Sequence, residues 1–166
     1  MLFDRDGTLI YDVPYNSDPA LVRPVAGARE VLDDLRARRV RIGVVSNQSG
    51  IGRGLFTAEQ LTLVNARVEE LLGPIGTWQT CPHRPEDGCA CRKPAPALVL
   101  AACAALNVPP HRTTVIGDIE SDVLAARAAG ANAVLVPNAA TARDEVERAA
   151  VKAPDLRAAV ELAVPR

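Results

Sequence analysis

Short apolar runs alternate with longer amphipathic runs along the 166-residue chain, which is the signature of successive βαβ units. Strands are predicted at Met1–Phe3, Arg41–Val45, Thr77–Thr80, Thr113–Ile116 and Ala133–Val136; each is apolar or β-branched and runs into a polar turn. Ala28, Val31, Leu32 and Leu35 follow the i, i+3, i+4, i+7 spacing, so the segment after the first strand is a helix with one apolar face. Thr57 and Gln60 make a capping box ahead of the stripe Leu61, Val64, Val68, Leu71 and Leu72. Helices are also predicted over Ala95–Asn107 and over Ser121–Ala129, the second closed by Gly130, and a weaker helical tail covers Thr141–Ala163. The expected fold is α/β: a doubly wound, Rossmann-like parallel sheet of about five strands with helices on both faces, in a single domain spanning residues 1–166. Only three residues precede Asp4, short for a central strand, so a natural start upstream of Met1 is expected.

Composition narrows the function. Nineteen basic residues against twenty acidic ones give a net charge of −1, and there are only two Tyr, two Phe and one Trp. The chain therefore has neither the positive field nor the stacking platforms of a nucleic-acid binder. The longest apolar stretch, Ala97–Leu106, is ten residues, about half of the roughly 20 that cross a bilayer, so no membrane span is expected. Three of the four cysteines, Cys81, Cys89 and Cys91, crowd around His83, while Cys103 sits in an Ala-rich helical run. That distribution indicates a metal site plus a buried thiol in a reducing compartment, and the expectation is a cytoplasmic monomer.

In a doubly wound sheet a ligand sits beyond the carboxyl ends of the strands, so the residues there carry the chemistry. They read Asp4-Arg5-Asp6-Gly7-Thr8 after the first strand, Ser46-Asn47-Gln48-Ser49-Gly50 after the second, then Arg92-Lys93-Pro94, and Gly117-Asp118-Ile119-Glu120-Ser121-Asp122 after the fourth. Asp4 and Asp6, two apart on a turn, aim two carboxyl groups at one point, and with Asp118 they form a hard oxygen site suited to Mg²⁺, with Asp122 in its outer shell. Cys81, His83, Cys89 and Cys91 are a Cys₃His set, sufficient for a closed, structural Zn²⁺ site in a short loop over residues 81–91.

These four pieces, in this order, resemble the haloacid dehalogenase superfamily of phosphatases. The resemblance implies that Asp4 attacks phosphorus to give an aspartyl-phosphate, while Asp6 protonates the leaving alkoxide and then deprotonates the attacking water. Ser46 and the groups around Asn47, Gln48 and Ser49 would bind the phosphoryl oxygens, and Lys93 would neutralise the transition state. The metal loop narrows the likeness to the small phosphatases that act on histidinol phosphate or on D-glycero-D-manno-heptose 1,7-bisphosphate; the Asp4, Ser46 and Arg92-Lys93 motifs are more similar to the heptose group. In that group the counterparts of Asp12 and Tyr15 touch substrate; Arg53, which follows the Ser46 motif, and Arg92, next to Lys93, are expected at the mouth of the site, where a guanidinium can grip a second phosphate or a sugar hydroxyl. Ile119 departs from the pattern, since both groups usually carry Lys or Arg there. No large insertion sits where the superfamily's cap domains enter, so the metal loop and the segment Tyr11–Arg23 must wall the site. Histidinol phosphate or another sugar or alcohol monophosphate is the alternative substrate. The non-enzymatic alternatives are a receiver-like module and a degenerate, zinc-stabilised binding domain.

Overall fold

The computed structural model describes residues 1–164; Pro165 and Arg166, counted in the expected domain, lie outside the described residues. Five parallel strands, β1 (Leu2–Phe3), β2 (Gly43–Asn47), β3 (Trp78–Cys81), β4 (Thr114–Gly117) and β5 (Asn132–Leu135), form one sheet in the order β3-β2-β1-β4-β5. The helices are α1 (Ala28–Ala37), α2 (Ala58–Leu72), α3 (Ala97–Ala105), α4 (Glu120–Ala128), α5 (Arg143–Arg148) and α6 (Leu156–Ala163).

The period-two alternation of the strands builds two cores. Phe3, Val44 and Ile116, in register across β2, β1 and β4, pack with Val31, Leu32 and Leu35 of α1, Val64 and Val68 of α2 and Val160 of α6. Their neighbours Leu2, Val45 and Val115 face the opposite layer, against Leu98, Val99 and Ala102 of α3 and Ala125 and Ala126 of α4. Each such side chain taken from water contributes about 1.5–3 kcal/mol, and truncating Leu32 to Ala would cost about 2–5 kcal/mol. Thr57 caps α2 as expected: its hydroxyl accepts from Gln60 N–H while the Gln60 side chain accepts from Thr57 N–H.

Two expectations shift. The second strand runs Gly43–Asn47, two residues further toward the site than the apolar run suggests, because Ser46 and Asn47 pair with Thr80 and Cys81 of β3. The helical tail is two helices, not one. Between them Leu135 N–H donates to Val151 O at 3.0 Å and Ala153 N–H to Leu135 O at 2.9 Å, so the chain lies alongside β5. Pro154 then bars continuous helix, and Asp155 restarts it by accepting from Ala158 N–H at 2.8 Å.

Candidate active site

β1 lies at the centre of the sheet, and its last ladder bond is Asp4 N–H to Ile116 O at 2.9 Å, so Asp4 leaves the sheet at its carboxyl edge with no slack. Lys93, brought in by the segment after the metal loop, reaches under it. Its ammonium donates to Asp4 Oδ1 at 2.6 Å, Asp122 Oδ1 at 2.5 Å and the Val45 carbonyl at 2.9 Å, and the side chain is 2% exposed. The Lys93 backbone is held by a reciprocal pair with the Asn47 side chain, at 3.0 and 3.1 Å. The Asn47 side chain thus positions Lys93, while the residue also lines the cleft in which its main chain was expected to meet phosphoryl oxygens.

Asp118, at the end of β4, accepts from Thr8 Oγ1 at 3.2 Å and from Asn138 Nδ2 at 2.8 Å. Gly7, at φ +81°, passes so close that a Cβ there would lie 2.3 Å from Asp118 Oδ2; Gly117 likewise makes room for Asp122, 2.2 Å from where its Cβ would be. Asp4, Asp118 and Asp122 are all buried, with carboxylate oxygens within 4.8 Å of one another. The carboxyl of Asp6, expected to join these cation ligands, is turned elsewhere. It accepts from Arg5 Nη2 at 2.9 Å and from Gln48 Nε2 at 2.7 Å, and the same Gln48 nitrogen donates to Ser46 Oγ at 2.8 Å.

The charges do not balance: three buried carboxylates face one ammonium. Burial drives the Asp4 carboxyl well above the usual range; Lys93 opposes this, and Asp122, Asp6 and Asp118 reinforce it. Burial alone would depress Lys93, but Asp122 and Asp4 outweigh it and hold the ammonium above the ordinary lysine value. Asp118 is pushed up to about 6 by burial and Asp122, against the hydrogen bonds from Asn138 and Thr8. A hard divalent cation fits this donor set and relieves the excess negative charge.

The four residues of the Cys₃His set also meet. Sulfur–sulfur separations among Cys81, Cys89 and Cys91 are 3.2–3.6 Å, and His83 Nδ1 lies 3.5 Å from Cys81 Sγ and 3.3 Å from Cys91 Sγ. These exceed the roughly 2.05 Å of a disulfide and approach the edges of a tetrahedron whose centre is about 2.0–2.3 Å from each ligand atom. Burial, with the Cys91 and Cys89 thiols beside it, raises Cys81 to about 12. For Cys89 burial works in the same sense, but hydrogen bonds from the Arg92 and Cys91 backbone and the neighbouring thiols bring it down to about 6, so one thiolate is ready for a soft cation.

Above the carboxylates opens a cleft of about 450 Å³. Asp12 and Tyr15 from one wall, Ser49 and Gln48 from β2's loop, and Arg92 and Ile119 from the far side all line it. Tyr15 is 50% exposed and sits at φ +55°, in the left-handed region uncommon for a residue other than glycine. Burial and the neighbouring Asp6 raise the Asp12 carboxyl, with Arg5 opposing. Arg92 donates to the His83 carbonyl at 3.3 Å. Arg53, expected at the mouth, is not among the lining residues and pairs with Glu86 at 3.6 Å. A larger hollow of about 650 Å³, bounded by Val31, Arg38 and Val160, holds none of the strand-end carboxylates.

Sequence reading passed over three residues. Arg5 was seen only as the spacer between two aspartates; Asn65 sits mid-helix on α2 and has no local signature. Asn138 was findable, because it stands just beyond β5, where the strand-end rule points.

Comparison with known proteins agrees with this geometry. The family model described as HAD-hyrolase-like matches residues 90–161. The D-glycero-beta-D-manno-heptose-1,7-bisphosphate 7-phosphatase of Pseudomonas putida is 33% identical over 145 residues, covering 82% of this chain and 81% of its own length. The enzyme of that name from Helicobacter pylori is 37% identical and covers 75% of each chain. Among solved structures, the D,D-heptose 1,7-bisphosphate phosphatase of B. bronchiseptica, complexed with magnesium and phosphate, superposes with a TM-score of 0.86 over 98% of this chain and 96% of its own at 27% identity. The chain therefore belongs to the family of these heptose bisphosphate phosphatases within the haloacid dehalogenase-like hydrolases, and it is a hydrolase of phosphate monoesters.

Proposed function

We propose that this chain removes the 7-phosphate from D-glycero-D-manno-heptose 1,7-bisphosphate through an aspartyl-phosphate on Asp4. The observation that carries the reading is the buried group Asp4, Lys93, Asp118 and Asp122 at the floor of an open cleft. An Asp4 oxygen attacks phosphorus as the bond to the sugar oxygen breaks, and Asp6 delivers a proton to that oxygen. Asp6 then takes a proton from water, which attacks the aspartyl-phosphate; inorganic phosphate leaves and Asp4 is restored. Lys93 holds Asp4 in place and offsets charge on the transferring group, and Ser46 with the main chain near Gln48 supports the phosphoryl oxygens. Asp4, Asp118 and Asp122 are the residues that would hold Mg²⁺, which when bound supplies charge neutralisation for the phosphoryl group. Zn²⁺ in the Cys₃His loop would order the strap that delivers Arg92 and Lys93. The single domain works as a monomer in the cytoplasm, where reduced thiols persist.

Ile119 favours a second reading. It lines the cleft 38% exposed, and of the cations among the described lining residues Arg5 and Lys93 are committed to carboxylates, leaving Arg92 for any distal phosphate. A sugar or alcohol monophosphate such as histidinol phosphate loads that side less. Phosphate release in Mg²⁺ from the heptose bisphosphate, heptose monophosphates and histidinol phosphate tests both. Asp4→Asn should abolish release from every one of them while the circular dichroism spectrum is unchanged; a variant that still turns over removes Asp4 as nucleophile.

A further inference from the structure

We propose that Arg5 and Asn65 form a positioning pair which locks the plane of the Asp6 carboxylate and leaves Oδ1 as the oxygen that carries the proton. The inference rests on the reading of Asp6 as general acid and base, and it extends the catalytic apparatus to α2.

Arg5 is 1% exposed, with its guanidinium buried beside a carboxylate. Stability does not explain such a pair, since desolvation offsets most of its attraction and an apolar pair of similar volume is often as stable. Its geometry does more. Nε donates to Asp6 Oδ1 at 3.1 Å and Oδ2 at 3.2 Å, and Nη2 donates to Oδ2 at 2.9 Å. The remaining arm, Nη1, donates to Asn65 Oδ1 at 2.8 Å. A guanidinium is a rigid plane, so anchoring one arm to a helix fixes the orientation of the other two. Asn65 is half-buried on α2, between the core residues Val64 and Val68, and α2 itself is capped at Thr57 and Gln60.

The two carboxylate oxygens are then unequal. Oδ2 accepts from Arg5 Nε, Arg5 Nη2 and Gln48 Nε2, whereas Oδ1 accepts from Arg5 Nε alone. An oxygen already receiving three donors has no lone pair left to offer the substrate oxygen or a water. Oδ1 has, and it keeps a fixed direction because its partner is held from two sides.

The test is leaving-group dependence of kcat/KM, which reports the step that expels the alcohol and not the later attack of water common to every ester; in that first step only a poor leaving group needs the proton. Turnover of an alkyl monophosphate and of 4-nitrophenyl phosphate is compared for wild type, Asp6→Asn, Asn65→Leu and Asn65→Asp. Asn65→Leu, which removes the acceptor while keeping the branched shape at Cγ, should lower kcat/KM on the alkyl ester about tenfold and on the aryl ester less than about twofold. Asn65→Asp keeps the acceptor oxygen and should restore the wild-type ratio. Equal losses on both esters, no loss on either in a folded variant, or failure of Asn65→Asp to restore the ratio each overturns the positioning pair. Asp6→Asn separates the two levels: if it too affects both esters equally, the assignment of Asp6 as acid falls, whereas selectivity in Asp6→Asn without selectivity in Asn65→Leu sinks the pair alone.

Discussion

The floor of the cleft and the cysteine loop beside it are ordered by different physics. Asp4, Lys93, Asp118 and Asp122 are each at most 7% exposed; Asp4 and Asp118 follow strands that the two cores fix on both sides, Asp122 stands in the first turn of α4, and Lys93 reaches them from the segment after the loop. In the loop, residues 83–88 are all exposed, and Cys81 is the one fully buried member of the metal set. Its ion pairs, Arg84 with Asp87 and Arg53 with Glu86, lie at the surface, where such pairs contribute about 0–1 kcal/mol. Packing therefore fixes the floor, whereas the loop before Arg92 and Lys93 has little apolar burial, and its Cys₃His group is compatible with a metal ion that would order it.

The comparison breaks most visibly at Lys93, where the two regions meet. Lys93→Met strands Asp4 and Asp122 as buried, unpaired carboxylates, so it should cost about 3–5 kcal/mol in urea denaturation and end turnover on all esters. Unchanged stability would mean that the ammonium does not compensate the floor. Within the loop, Cys89→Ser or strong chelation should lower kcat by about 10²-fold through misplacement of Lys93, with excess Mg²⁺ giving no recovery. Full activity in the protein shown by elemental analysis to be zinc-free would detach the loop from the chemistry.

The smallest effect sharpens the floor itself. Asp118 titrates near 6 in the folded chain, above the value of about 3.9 for a free aspartate, so the folded state takes up its proton first. The penalty is full above pH 6 and disappears as pH falls through the window from 6 toward 4. With chelator present, acidification from pH 8 to pH 5 should thus raise stability, by about 1.4 kcal/mol for this group, roughly half of what the whole shift would give below pH 4. Mg²⁺ added at pH 8 should remove most of the difference in Tm. A chelated protein that melts higher at pH 8 than at pH 5 would show that the buried carboxylates are not what limits it.

Legibility of the sequence followed the range of the interactions. Strand and helix positions came from periodicity that each segment carries by itself, and the Asp4, Ser46, Lys93 and Asp118 motifs from the rule that ligands gather at strand ends. The split of the tail is half legible: Pro154 marks a helix break by itself, whereas the backbone pairing of Val151 and Ala153 with Leu135, which holds the residues before it extended, is not written in the local pattern. Asn65 was invisible for the same reason: it meets Arg5 across 60 positions, and nothing in an amphipathic helix marks one polar residue as facing inward. Arg53 was placed at the mouth by nearness to Ser46 alone, and its partner Glu86 arrives from the metal loop.

β1 has only two residues, and the bond from Asp4 N–H to Ile116 O extends its ladder by one more rung. The amide of Asp4 is therefore part of the innermost strand of the sheet, flanked by β2 and β4. Its exchange with solvent deuterium requires the sheet to come apart, so its protection measures the global opening of the molecule, while the amides around residues 83–88 exchange through local fluctuation. The backbone that carries the Asp4 carboxyl is in this sense as durable as the sheet, whereas the loop can open while the sheet stays closed.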